Sequence, residues 1–274
     1  MRDLAELWRL RERSLKKARK PARLGDPEGL HDLRVALRRV SATAAALGRK
    51  EVAREAKSIV RSLSPQRQLE VDRQLLARLA RLGFLPPDAA TALAARWEKL
   101  AARGTRKIAR ASDSREVRAL LRRLRKLAGQ DTAGTGSGIA RLERARRRAE
   151  EAIALPLDGK DDRALHRYRI AVKRARYLAE DLAALGLRAW KSHAEREKAV
   201  QDALGRWNDL RMFCRRLAKS RDEAEERGAV TLAAELERLV AVLEPTIASV
   251  RKAAVEASRT TSSVVLMKRV AAEG

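Results

Sequence analysis

Residues 30–39 read Leu-His-Asp-Leu-Arg-Val-Ala-Leu-Arg-Arg, and residues 165–174 read Leu-His-Arg-Tyr-Arg-Ile-Ala-Val-Lys-Arg. Both fit Leu-His-x-[Leu/Tyr]-Arg-[Val/Ile]-Ala-[Leu/Val]-[Arg/Lys]-Arg, with cations at three matching positions. A repeat with so long a period implies one structural unit built twice. A second pair of segments supports that reading. Leu204-Gly205-Arg206-Trp207-Asn208-Asp209-Leu210 follows the second His segment at nearly the spacing by which Leu63-Ser64-Pro65-Gln66-Arg67-Gln68-Leu69 follows the first. The duplication therefore covers more than one element.

The period inside the repeat is that of a helix. At about 100° per residue, His31, Arg34 and Arg38 share one face, and Leu30, Leu33, Leu37, Val40, Ala44 and Leu47 fill the opposite one. His166, Arg169 and Lys173 share a face in the same way, opposite Leu165, Tyr168, Val172, Ala175 and Leu182. Arg39 and Arg174 flank these clusters, and Arg176 adds a cation in the second copy. Ala, Leu, Arg and Glu dominate and aromatics are only 3%, a composition that favours helix almost throughout. Pro21 and Gly25-Asp26-Pro27 close a first helix. A second spans about 28–47 and a third about 50–82, with a kink or restart at Ser64-Pro65. A long helical stretch then runs from Pro86-Pro87 to Leu127, with a break expected at Gly104. The glycine-rich stretch 129–138 reads as a linker, because no Gly-Lys-[Ser/Thr] follows to make it a phosphate loop. A basic helix (139–153), a break at 156–162, the second His helix (163–185) and a long helix with Gly205 near its middle complete an all-α chain. Two helical-bundle halves are expected, 1–128 and 139–274.

Charge sets the function class. Lys and Arg number 62 against 36 Asp and Glu, a formal charge of +26, which points to a polyanion or an anionic surface. Arg offers a rigid fork matched to phosphate oxygens, and His adds a donor when neutral and a charge when protonated. The two His look poor as metal ligands, having no Cys or His at ligand spacing and cations all round. As acid–base groups they lack a nucleophile and a carboxylate cluster, so no metal and no cofactor is expected. Base reading has little to work with, for aromatics are few and no zinc finger, basic zipper or RNA-recognition signature is present. General binding of nucleic acid or an anionic surface remains the alternative. The lone Cys214 fits a reducing compartment, no apolar run approaches a membrane span, and residues 1–6 lack a signal peptide's apolar segment. A cytoplasmic protein is expected.

The two Leu-His-x-x-Arg segments resemble the hallmark of the CHAD family, the conserved-histidine α-helical domain. Residues 204–210 are similar to that family's Leu-Gly-x-x-[Arg/Asn]-Asp-Leu element, with 63–71 as the earlier counterpart. The resemblance implies two four-helix bundles related by pseudo-twofold symmetry and a basic channel that binds inorganic polyphosphate. It carries the binding role to His31, Arg34, Arg38 and Arg39, and to His166, Arg169, Lys173, Arg174 and Arg176. It further implies a non-enzymatic module, targeted to polyphosphate granules. Arg13 precedes His31 by the same span that separates Arg148 from His166, and both arginines are expected to border the same channel. There are departures: Ser41 stands where an Arg is usual, and Arg67-Gln68-Leu69-Glu70 replaces Arg-Asp-Leu-Asp. The Glu-x-Glu-x-Lys strand of the CYTH triphosphatase domain attached in some relatives is not seen in residues 1–20.

Overall fold

The computed structural model describes residues 3–112, 114–130, 135–154 and 161–273, and among them the chain forms nine helices and no strand. They are α1 (Leu4–Arg23), α2 (Pro27–Ala46), α3 (Lys50–Arg81), α4 (Pro87–Ser112), α5 (Arg115–Gln130), α6 (Thr135–Ala154), α7 (Asp162–Ala184), α8 (Trp190–Glu225) and α9 (Val230–Glu273). By the repeated segments, α2 corresponds to α7 and α3 to α8. The pair α4–α5 then stands where the single long α9 stands. Among the described residues no helix is long and apolar enough to cross a membrane.

Both His helices begin in the same way. Asp26 accepts hydrogen bonds from the backbone N–H groups of Glu28 (3.3 Å) and Gly29 (2.9 Å). Asp161 accepts from those of Arg163 (2.7 Å) and Ala164 (3.1 Å). Each cap satisfies helix donors that would otherwise be orphaned, and each stands the same short distance before its His. Gly29 admits α1 onto this first turn, because a Cβ there would lie 2.5 Å from the Ala22 nitrogen and from Pro21 Cβ. The apolar faces expected from periodicity are buried in full: Leu30, Leu33, Leu37, Val40, Ala44 and Leu47 on α2, and Leu165, Tyr168, Val172, Ala175 and Leu182 on α7. Each large apolar side chain among them contributes about 1.5–3 kcal/mol of burial.

Three expected boundaries fall elsewhere. Helix α3 runs through Pro65 unbroken; Ser64 Oγ back-bonds to the Val60 carbonyl at 2.6 Å, and buried Leu63 and Leu69 hold the helix on either side. Helix α4 also continues through Gly104. That residue is glycine because the Gln66 side chain crosses it, 1.6 Å from where a Cβ would sit, to donate to the Ala101 carbonyl at 2.9 Å. The interruption comes instead before α5, where Ser114 Oγ accepts from the Val117 N–H at 3.2 Å. The linker expected over 129–138 is largely helical: Gly129 lies in α5, residues 135–138 lie in α6, and Gly138 is buried against Leu4. Its remaining part, 131–134, and most of the break expected at 156–162 lie outside the described residues.

The two halves share their cores. One cluster packs α1, α2, α5 and the first part of α3 together with Leu142, Leu178, Leu182 and Leu185 of the second half. Another joins Leu69, Leu76, Leu93 and Trp97 to Phe213, Leu217, Leu236 and Leu239, with Trp97 edge-on to Phe213 at 5.9 Å. A third is built from α6 to α9 alone. Ion pairs cross the seam in the same places. Arg11 meets Asp181, Arg39 meets Glu180 at 2.8 Å, Arg96 meets Glu223, and Arg216 meets Asp72. In the deepest, Thr43 Oγ1 accepts from Arg11 Nε at 3.2 Å and donates to Asp181 at 2.7 Å.

Candidate anion-binding site

The His faces of α2 and α7 meet at the seam, together with one turn of α3 and one of α8. Five cations converge there: Arg34 and Arg38 from α2, Arg67 from α3, Arg169 and Lys173 from α7. Their mutual influence shows in their titration. Burial first, then the charges of Arg38, Arg67 and Arg169, push Arg34 down to about 9, against a small upward pull from Asp209. Burial, Arg169, Arg38 and Arg34 push Lys173 down to about 6, again with Asp209 opposing. Arg169 is lowered by burial and by Arg38, with Asp209 pulling the other way. Like charges withdrawn from water disfavour one another's charged forms.

The acid count is low. Asp209 on α8 is the carboxylate that offsets the cluster. Asp72 faces it from α3 but is fully buried, accepting from Gln68 at 2.9 Å and from Arg216. Burial raises its carboxyl. At the departure over 67–70, Gln68 stands where an acid is usual and donates to Asp72 one turn along α3 at 2.9 Å. Several guanidinium donors are left over. Arg34 gives one bond, to Ser64 Oγ at 3.3 Å, while Arg34 Nε, Arg67 Nη1 and Arg169 Nε are buried without an acceptor. An anion bridging them would satisfy donors that are otherwise costly to bury.

The histidines stand at the edges of this group. His31 is half-buried beside Arg67 and Arg34, and His166 is exposed beside Arg169, Arg211 and Lys173. Burial, then these cations, lower both imidazoles, so each is neutral at pH 7 and can donate without adding charge.

The other residues expected at the site divide. Arg39 and Arg176 both grip Glu180, at 2.8 and 2.9 Å, and both lie over the Tyr177 ring at about 6 Å. Arg39 thereby clamps α2 to α7, with Arg176 steadying Glu180 from within α7, and the site's two walls are held at their spacing. Ser41, where an Arg is usual, instead donates to the Ala53 carbonyl at 3.0 Å and pins α2 to α3. Arg174 is exposed, as is Arg148 on α6. Arg13 is exposed and bonded to Glu6 at 2.6 Å. Sequence reasoning did not assign Arg67, Asp209, Asp72 or Arg211 to the site. All four lie in or just after the second repeated element, and that placement was the available signal. Arg211 stacks over Trp207 at 5.2 Å and pairs with Asp162 at 3.2 Å, extending the cationic wall along α8.

A CHAD domain family model matches residues 7–218. The crystal structure of the CHAD domain from the plant Ricinus communis is similar with a TM-score of 0.70 at 22% identity, covering 95% of this chain and 92% of that one. PptA from Streptomyces chartreusis is similar with a TM-score of 0.63 at 20% identity, covering 96% and 98%. Likeness at these identities is a likeness of fold. No curated protein matches the chain.

Proposed function

We propose that this chain, which belongs to the CHAD domain family, binds inorganic polyphosphate without transforming it, in the basic site between its two His helices. The observation that carries the reading is the group Arg34, Arg38, Arg67, Arg169 and Lys173, drawn from both halves, with three buried guanidinium donors unanswered. Arg34 and Arg38 repeat at one helical turn along α2, as Arg169 and Lys173 do along α7. A ligand with charge at every unit of a flexible chain can meet such a double row, and arginine forks suit its oxygens. Binding that rests on many such contacts weakens steeply with salt, as for nucleic-acid backbones. Targeting to polyphosphate granules would follow from the same contacts.

Support for a non-enzymatic role comes from how the acids are used. Asp72 is engaged by Arg216 and Gln68, Glu180 by Arg39 and Arg176, and Asp181 by Arg11 and Thr43. Among the described residues no group of three or more His, Cys, Asp or Glu is placed to hold a metal ion. Competition tests the reading: long-chain polyphosphate against DNA and RNA of equal charge, at several salt concentrations. Preference for polyphosphate supports it, and equal competition leaves a general polyanion binder. Steady release of orthophosphate with Mg²⁺, lost in a His31 or His166 variant, would make the protein an enzyme.

A further inference from the structure

Lys16, Lys198 and Lys219 each pair with a carboxylate one turn away, Glu12, Asp202 and Glu223. Lys173 has Arg169 and Tyr177 at that spacing instead, and among the described residues it makes no hydrogen bond or ion pair. The charged groups around its amine are Arg169 on its own helix, Arg34 and Arg38 from α2, and Asp209 from α8. His166 lies two turns back along α7. Burial and the three guanidiniums hold the amine down at about 6, so at pH 7.5 it is almost wholly neutral. An ordinary lysine is neutral there in about one molecule in a thousand. A neutral amine kept so by neighbouring cations is the form in which lysine acts as a nucleophile. Lys173 is only partly buried, so a small molecule can reach it.

The surroundings select what reacts there. Arg34 Nε, Arg67 Nη1 and Arg169 Nε are buried donors without an acceptor, and the phosphate of a small molecule would answer them. Ile170, a neighbour of Lys173 on the helix surface and 53% exposed, offers carbon surface beside the amine. The first half cannot do the same chemistry. Aligned with the second, it places Arg38 where Lys173 stands, and a guanidinium keeps its charge.

We infer that Lys173 forms a reversible imine with a small phosphorylated aldehyde, whose phosphate is held by Arg34 and Arg169. The Nζ lone pair bonds to the aldehyde carbon and the carbonyl oxygen takes up a proton. The adduct then loses water to leave C=N, and both amine hydrogens depart in that water. No oxidant or reductant enters. The inference rests on the anion site described above and not on which polyanion fills it. The test treats the full chain at pH 7.5 with pyridoxal 5′-phosphate or with pyridoxal, traps the imine with borohydride and maps the label by peptide mass. Exposed Lys57 serves as the internal reference. Pyridoxal 5′-phosphate should label Lys173 well ahead of Lys57. That preference should shrink about tenfold with pyridoxal, the loss of one charge-assisted contact, and by a similar factor in Arg34→Ala. Lys173→Met, close in shape to the neutral amine, should keep the parent's thermal melt and lose the label. No preference for Lys173, or an equal preference with both aldehydes, overturns the site. Long-chain polyphosphate should block the reaction. Label on Lys173 that polyphosphate leaves undiminished supports the amine site and removes the polyphosphate reading instead.

Discussion

Arg11 and Arg34 are withdrawn from water on adjacent helices, yet their surroundings are opposite. Arg11 finds Asp181 across the seam and Thr43 on the neighbouring α2, so its charge and its donors are answered. Arg34 finds one hydroxyl and a ring of other cations. The seam arginines fix how the halves sit together. The site arginines oppose the packing that holds them, and an anion is what removes that opposition. A ligand that binds only the folded state stabilises it by mass action, so the same cluster that weakens the free protein should make the bound one firmer.

Breaking the seam should have the largest effect. Asp181→Ala leaves Arg11 buried without its carboxylate partner, while the Thr43 hydroxyl keeps the Arg39 carbonyl as an acceptor at 2.9 Å; the expected cost is about 3–5 kcal/mol in urea unfolding. A loss near zero would show that the pair does not hold the halves together. In the site the prediction is reversed. Arg34→Ala/Arg38→Ala and Arg169→Ala/Lys173→Ala should each weaken polyphosphate binding comparably, by about 1.5–3 kcal/mol per lost contact, without lowering the melting temperature of the free protein. Calorimetry decides it, and full affinity in either double variant would make that half dispensable.

The next effect is one of protons. Lys173 titrates at about 6 in the folded protein against an ordinary 10.5. Between those values the unfolded chain holds a proton that the folded one lacks, so stability should fall as pH drops from about 10.5 to 6 and level off below. A polyanion at the site raises Lys173 again. Binding at pH 7.5 should therefore take up protons, read from the dependence of binding heat on buffer ionisation, and affinity should increase as pH falls toward 6. Lys173→Met should remove most of that uptake; an undiminished uptake would assign it to His31 and His166. The smallest effect is expected at the margin. Arg13→Glu and Arg148→Glu should slow association and flatten its salt dependence while leaving the fold intact, since rim charges act on encounter more than on the bound state. Unchanged kinetics in both would place these residues on ordinary solvated surface.

The helices and their buried faces were legible because helical period and capping residues are local: Asp26 and Asp161 act on backbone groups within a single turn of themselves. The rows Arg34–Arg38 and Arg169–Lys173 were legible for the same reason, reinforced by repetition. What escaped depends on partners far along the chain. Arg39 reads as one more cation of its helix until Glu180, 141 residues away, engages it. Gln68 reads as a lost acid until Asp72 is seen held by Arg216 at a separation of 144 residues. The stretch 135–138 reads as flexible because glycine disfavours helix, but packing of Gly138 under Leu4 overrides that preference. The α4–α5 interruption was marked by Ser114, whose capping role is masked by apolar period on both sides.

The bond between Arg11 and Asp181 spans 170 residues, and this has a bearing on how the protein is made. At a synthesis rate of about 5–20 residues per second, roughly ten to thirty seconds separate the two partners as they emerge from the ribosome. Through that interval α1 and α2 have their own apolar contacts but lack Leu178, Leu182 and Leu185, which complete their core. The nascent first half must wait with Arg11 still in water and part of its apolar face uncovered. Neither end of the chain can finish alone, and the native state should be reached late, when α7 docks on α1 and α2 and then α8 and α9 complete the core they share with α3 and α4.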